Sequence, residues 1–367
     1  MKKFLLVVLA FALLIAACAP APTPAPTAAP PTAAPKATQP PAATAVPPTA
    51  VPTMSAAQIL DAAKKEGKLM IYTSLNAEEF DKVLAPFAKK YPEIKVEFFR
   101  GSSEDVTQKA LTEFRANTHI ADIVETTDVN IVQLLSVGVT GKYLSPETKA
   151  YPASAYDPEG AWAAERLNLV VMAYNTNLVK KEDAPKKLED LLDPKWAGKI
   201  ALEADDWPMV AYTQKVMGEA KSKDFWTKLA AQKPRVIKGH TELANFLVAG
   251  EFHVSPHVYA HRVLSLQERK APIEMVKTDT VYAFPHVIAI TKNAKNSNAA
   301  KVFIDWYLSV EGQESLVAAG RIPVRPGIKT RPEGLLEGFA AIFYGDPQTL
   351  LKAGDVQKEF QTLFGIK

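Results

Sequence analysis

Apolar positions between residues 54 and 330 alternate between two periods, and that alternation predicts most of the elements. Ser55 reads as an N-cap, Ile59, Leu60, Ala62 and Ala63 place a helix over 56–66, and Gly67 stops it. Residues 68–72 form a short apolar run of strand type. Residues 73–76 open a helix through Lys90, with Phe80, Val83, Leu84 and Phe87 at helical spacing. A strand over 94–99, a loop over 100–103 and a helix capped by Ser103 and carrying Val106, Ala110, Leu111 and Phe114 come next. A strand over 120–125 then ends in Thr126 and Thr127, before a helix through about Leu135. The order β-α-β-α-β points to a parallel sheet covered on both faces, so the fold class is α/β.

A second α/β unit is expected from about Leu167 to Val276. Its strands are 167–174, 199–202 and 236–237, with helices from about Met209 and Ser222; a strand over 252–255 precedes a helix beginning near Pro256. A strand over 283–291 and helices over 297–308 and 311–319 complete the pattern. Ligands of open parallel sheets bind beyond the carboxyl ends of strands, where helix N-termini offer free amides. That rule nominates Ser74, Asn76, Arg100, Ser102, Ser103, Thr126 and Thr127, each of which is also an ordinary cap or turn residue.

The first 53 residues are different in kind. Lys2 and Lys3 precede an apolar run of 14 residues, Phe4 to Ala17, where a spanning helix needs about 20. The run is therefore expected to be a signal peptide, residues 1–17. Leu14-Ile15-Ala16-Ala17-Cys18 resembles the lipobox of bacterial lipoproteins, and this resemblance implies cleavage before Cys18, lipidation of Cys18 and anchoring to the cell membrane. Residues 19–53 hold 12 of the 28 prolines among Ala, Thr and Val and cannot form a core. They are expected to be a disordered, semi-rigid spacer.

Charge and cysteine exclude several classes. Three of the 43 Lys and Arg fall in the first 53 residues, which hold no acid, so the rest balances 40 bases against 40 acids. A nucleic-acid binder needs a basic surplus on its binding face, and none is expected here. Cys18 is the only cysteine, which excludes an intramolecular disulfide and a Cys-based zinc site. No nucleophile elbow, Walker loop, zinc-protease helix or dinucleotide fingerprint is present, so the chain is read as a binder and not an enzyme.

The segments 71–74, 121–123, 174–176, 298–300 and 309–313, and above all Asp193-Pro194-Lys195-Trp196, are similar to bacterial extracellular solute-binding proteins of ABC importers, in particular the ferric-iron-binding branch. The resemblance implies a two-lobed periplasmic-binding-protein-like (type II) fold that closes on its solute by a hinge. Lobe one is expected over 54–165 plus 278–330, lobe two over 166–277, and 331–367 as a C-terminal helical segment. It further implies membrane permease subunits as partners, a small solute as cargo, no cofactor, and a monomer.

Iron binders of this family resemble each other in a paired Tyr-Tyr on lobe two. Here Val258 stands before Tyr259, the loop at Ser74 has no His, and Thr127 occupies a place where a carboxylate is expected. A small anion or polar organic solute is therefore expected, with ferric iron or an iron chelate as the alternative cargo. Ser74, Ser103 and Thr127 supply hydroxyls, while Arg100, Arg166 and Arg262 can grip a carboxylate or phosphate. Arg166 has a second reading, a structural ion pair with Glu165. Asp206, beside Asp205 and Trp207, can receive a cationic group; Tyr282 and His286 are further candidates. His253, His257 and His261 recur every four residues; because Pro256 must lie at or before a helix start, only His257 and His261 can share a helix face as a metal pair, with Tyr259 beside them.

Overall fold

The computed structural model describes residues 54–366; the expected signal peptide, Cys18 and the expected spacer lie outside them. In chain order the elements are α1 (Ala56–Glu66), β1 (Lys68–Thr73), α2 (Ala77–Lys90), β2 (Lys95–Arg100), α3 (Ser103–Arg115), β3 (Ile123–Thr127) and α4 (Asp128–Val137). Then follow β4 (Ala163–Asn175), β5 (Ala201–Glu203), α5 (Pro208–Met217), α6 (Glu219–Ala231), β6 (Arg235–Ile237), α7 (His240–Ala249), β7 (Val254–Tyr259), α8 (Ala260–Glu268) and β8 (Ile273–Met275). The last are β9 (Thr280–Ile290), α9 (Ser297–Leu308), α10 (Val310–Ala318), β10 (Ile322–Pro323), β11 (Ala341–Tyr344), α11 (Pro347–Leu351) and α12 (Val356–Phe364). No described helix is long and apolar enough to cross a membrane.

Local chemistry sets the helix ends. Ser55 and Gln58 form a reciprocal capping box on α1, and Gly67, at φ +67°, closes it in the left-handed region. The cap of α3 is Ser102 and not Ser103, because Asp105, three residues on, returns a bond to the Ser102 amide. Counting from Ser103, that position is Val106, which cannot.

The main sheet runs β10-β4-β9-β3-β1-β2. The triplet β2-β1-β3 is parallel, as the alternation predicts. The long strands β4 and β9 lie antiparallel to each other over most of their length and carry the sheet into a second half, where β7 and β8 pair with β4. A separate parallel pair, β5-β6, completes that half. Two apolar cores result. One gathers Phe80, Phe87, Phe303 and Trp306; the other gathers Trp196, Tyr212, Phe225, Trp226 and Phe284. The Asp193-Pro194-Lys195-Trp196 run serves the second core: Asp193 caps a single turn, and Trp196 is buried.

Two sequence expectations are corrected. Residues 254–259 are a strand, so no helix begins near Pro256. The β4-β7 register shifts opposite Met172, which leaves Pro256 and His257 in a bulge where a missing amide donor breaks no ladder bond. The C-terminal segment is not wholly helical: β11 runs parallel along the start of β9, and Phe360 and Phe364 of α12 lie against Trp226.

Candidate functional site

The helix N-termini at the carboxyl ends of β1, β2 and β3 are capped from within. The side chain of Asn76 accepts the Glu79 amide at 2.9 Å, that of Ser102 accepts the Asp105 amide at 3.0 Å, and that of Thr127 accepts the Asn130 amide at 3.4 Å. The Ser103 carbonyl takes the hydroxyls of Thr107 and Thr126. Arg100 and Asn76 are exposed. Asn76, Ser102 and Thr127 hold their own helices, and no such role falls to Arg100. Asn76→Ala is expected to cost about 1 kcal/mol of stability and to leave solute affinity unchanged, which a urea melt and a binding titration would check; the reverse pattern would put Asn76 in the site.

Where the long strands cross, a buried polar hub forms. Arg166 donates to both Glu125 and Glu165, and its second terminal nitrogen lies 3.4 Å from Ser74 Oγ. Ser74 Oγ is 2.8 Å from His286 Nε2, and His286 Nδ1 lies 2.8 Å from Glu165. Tyr307 donates to Glu125 at 3.2 Å. Burial lifts the Glu165 carboxyl well above its ordinary range against the pull of Arg166, and burial together with Arg166 keeps His286 neutral. A neutral His286 with Nδ1–H toward Glu165 leaves Nε2 to accept from Ser74. Arg166 thus fills the space that Glu125, Glu165 and His286 enclose.

The facing wall comes from β5, α7, β7 and α8. Asp206 approaches His240 Nε2 and His257 Nδ1, each at 3.3 Å. Only the first is an attractive pair. His257 Nδ1 accepts the Glu203 amide at 3.2 Å, so its lone pair is spent, and burial pushes its pKa down to about 3. His240 also suffers from burial, but the charge and hydrogen bond of Asp206 overcome it and raise its pKa to about 9. Tyr259 stacks on His240, with ring centroids 3.7 Å apart, and its other neighbour is His261 at 5.5 Å. His261 Nε2 accepts from Arg321 at 2.7 Å, and burial with the Arg321 charge keeps this imidazole neutral. Arg321 is itself anchored to Glu79 of α2 at 2.6 Å, so Arg321 ties α8 to α2.

The expected metal pair is thereby overturned: His257 sits on β7 facing Glu203, His261 on α8 facing Arg321, and the two share no helix face. For Arg166 the ion-pair reading with Glu165 is the one observed, with Glu125 added. Asp206, Tyr259 and His261 share one wall, and Ser74 lies at the hub; Ser103, Asn76 and Thr127 serve local structure, and Arg100 is an exposed residue at the end of β2. Three residues escaped the sequence reading: Glu203, His240 and Arg321. His240 had a signal, since it follows Gly239 at a helix start; Arg321 had none, because its partners are 60 and 242 positions away.

Solved structures share this fold. Iron-bound HitA from Pseudomonas aeruginosa superposes with a TM-score of 0.69 at 20% identity, over 81% of this chain and 99% of that one. AfuA from Actinobacillus pleuropneumoniae, with exogenous fructose-6-phosphate bound, gives 0.69 at 24%, over 82% and 100%. In sequence, the Fe(3+)-binding periplasmic protein of Serratia marcescens is 24% identical over 235 residues, 61% of this chain and 68% of that protein. The fold is thus that of the two-lobed periplasmic binding proteins. Residues 119–340, more than half of the chain, match the bacterial extracellular solute-binding protein family, and the chain belongs to that family. Its role is that of the substrate-binding component of an ABC importer, which takes up a small solute and works with permease subunits.

Proposed function

We propose that this protein captures a small organic anion between its lobes. Lobe one is placed at 54–165 plus 278–330 and lobe two at 166–277. The chain is held at the membrane as a monomer by lipid on Cys18 and lifted by the 19–53 spacer. The anionic end is assigned to the N-terminus of α8. No side chain caps that end, no acid stands in its first turn, and its free amides carry the positive pole of the helix. Arg262, on the same turn, forms no salt bridge among the described residues, and its solvent-shielded Nε has no acceptor. An uncapped helix end beside an unpaired arginine is the observation on which the proposal stands. It moves the anion site from the self-capped helices of lobe one to lobe two.

Two donors flank that end. Arg321 and the neutral His261 sit beside it, and Asp206 and Glu203 on the same wall can accept from hydroxyl or ammonium groups at the other end of the solute. AfuA is a structural neighbour whose solved structure holds a sugar phosphate of this general chemistry. Iron is the second reading, favoured by the Serratia marcescens and HitA relatives and by Tyr259. Against it, the residue before Tyr259 is Val258, so this stretch offers one phenol and not a pair.

A thermal-shift series on protein refolded to strip carried-over ligand tests the proposal. A phosphate monoester or a free carboxylate at about 100 times its Kd adds roughly 2.7 kcal/mol and several degrees. Arg262→Ala is expected to weaken that solute by about 10- to 100-fold, as for a charged hydrogen bond. A rise with ferric citrate alone, unaffected by Arg262→Ala, would replace the organic anion by iron.

A further inference from the structure

We propose that Glu203, Asp206 and His240 form a binding site for a divalent transition-metal ion of zinc type, separate from any iron cargo. The three side chains come from the end of β5, the turn before α5 and the first residue of α7. Their donor atoms lie within 4.8 Å of one another. Glu203 and Asp206 are buried, and His240 is largely so.

The imidazole is oriented as metal ligands are. His240 Nδ1 lies 3.1 Å from the His257 carbonyl and keeps its proton there, so Nε2 is the nitrogen that faces Asp206, and an entering ion takes the place of the Nε2 proton. Nε2 and Asp206 Oδ1 are 3.3 Å apart. Two ligands about 2.0–2.1 Å from a tetrahedral ion are separated by about that distance. Glu203 is held by backbone amides, from Gly239 at 2.8 Å and Asp205 at 2.6 Å, so its carboxylate is oriented before any ion arrives. Three donors of N and O type leave a fourth position for water or a solute oxygen.

Two further observations point to a missing cation. Asp206 Oδ2 is buried and receives no hydrogen bond. His257, the only other basic group against it, cannot supply one, because its Nδ1 accepts from the Glu203 amide. Two buried carboxylates therefore share one imidazole. The other close trio, Glu125, Glu165 and His286, differs on this point: Arg166 already stands between its carboxylates. A permanent cation is built into that cluster from the chain itself, whereas in the Glu203 cluster a single imidazole faces two carboxylates.

Calorimetric titration of the chelator-dialysed full chain with zinc ion, without solute, is the test. One ion per chain is expected, with Asp206→Asn and His240→Asn each weakening affinity by at least about 10-fold; Tyr259→Phe should bind like the parent. Cobalt(II) in place of zinc should give the visible spectrum of a four-coordinate N/O site, lost in Asp206→Asn. Circular dichroism of each variant checks folding, and Glu203→Gln provides a third, nearly isosteric, probe. The proposal is overturned by a Kd weaker than about 1 mM, by full affinity in the Asp206, His240 and Glu203 variants, or by loss of zinc in Tyr259→Phe. Because no solute is present, a negative result leaves the organic-anion proposal intact, and failure of the Arg262 experiment leaves this one intact.

Discussion

Arg166→Met is expected to lower the unfolding free energy by about 3–5 kcal/mol, the usual cost of leaving a buried charge without its partner. The guanidinium is 2% exposed and lies between two carboxylates that are equally buried. Removing it strands Glu125 and Glu165 side by side, with only Tyr307 and His286 near them. Burial already holds the Glu165 carboxyl well above its ordinary range, so the variant should relieve part of the repulsion by binding a proton, and its deficit should shrink on acidification. A triple variant, Arg166→Met with Glu125→Gln and Glu165→Gln, should recover much of the loss, since a neutral buried trio has no charge to compensate. Urea unfolding of the three proteins at two pH values reads all of this. If Arg166→Met instead unfolds like the parent and loses only solute affinity, the hub is a solute-binding group and not a structural ion pair.

Stability should also fall as pH rises from about 4 to about 7, through Asp128. This first residue of α4 is fully buried, accepts the Tyr212 hydroxyl at 2.6 Å and the Val129 amide at 2.9 Å, and feels the charges of Asp206 and Asp346. Burial is the largest influence and pushes its pKa up to about 7, against the lowering effect of those two hydrogen bonds. The folded chain then keeps a proton that the unfolded chain releases near pH 4. Across that window the native state binds more protons, so unfolding becomes easier with rising pH, by at most about 4 kcal/mol. His257 works in the opposite direction: its pKa is depressed to about 3, so its contribution is lost on acidification below about 6.5. The parent curve mixes both, and Asp128→Asn separates them. The variant keeps an acceptor for Tyr212, shrinks the falling limb, to which the buried Glu165 carboxyl also contributes, and gains stability relative to the parent above pH 7. An unchanged pH profile in Asp128→Asn would show that Asp128 ionises normally.

Tyr212 also explains a glycine. A Cβ on Gly345 would meet the Tyr212 ring at 2.5–2.6 Å, so only glycine lets the chain after β11 pass the phenol that reaches Asp128. The C-terminal segment therefore packs around a link between α4 and α5. Nothing in its own composition announces this, because the link joins residues 84 positions apart.

Legibility in the sequence followed the range of the interactions. The parallel run from β1 to β3 was readable because each element has its own apolar period and its own caps. Strand β4 starts four residues before the apolar pattern indicates, since Glu165 and Arg166 look like surface positions, and only packing encloses Arg166 between Glu165 and Glu125 of β3. The helix expected at Pro256 failed for a related reason: proline is a helix-start signal locally, but a bulge opposite Met172 gave it a place in a strand. Among candidate residues, hydroxyls at strand ends were overvalued, because a short side chain at a helix start bonds first to its own amides.

What the chain determined by itself was the α/β class, the order of its elements, the family resemblance and the presence of polar groups at the strand ends, all set by contacts within a few residues. The tertiary structure decided which of those groups remain available. It enclosed Arg166 between two carboxylates, separated His257 from His261, and gathered Glu203, Asp206, His240, Tyr259 and Arg321 from distant parts of the chain. Burial then set their charge, since the cost of desolvation and the nearest opposite charge exist only once distant segments have packed.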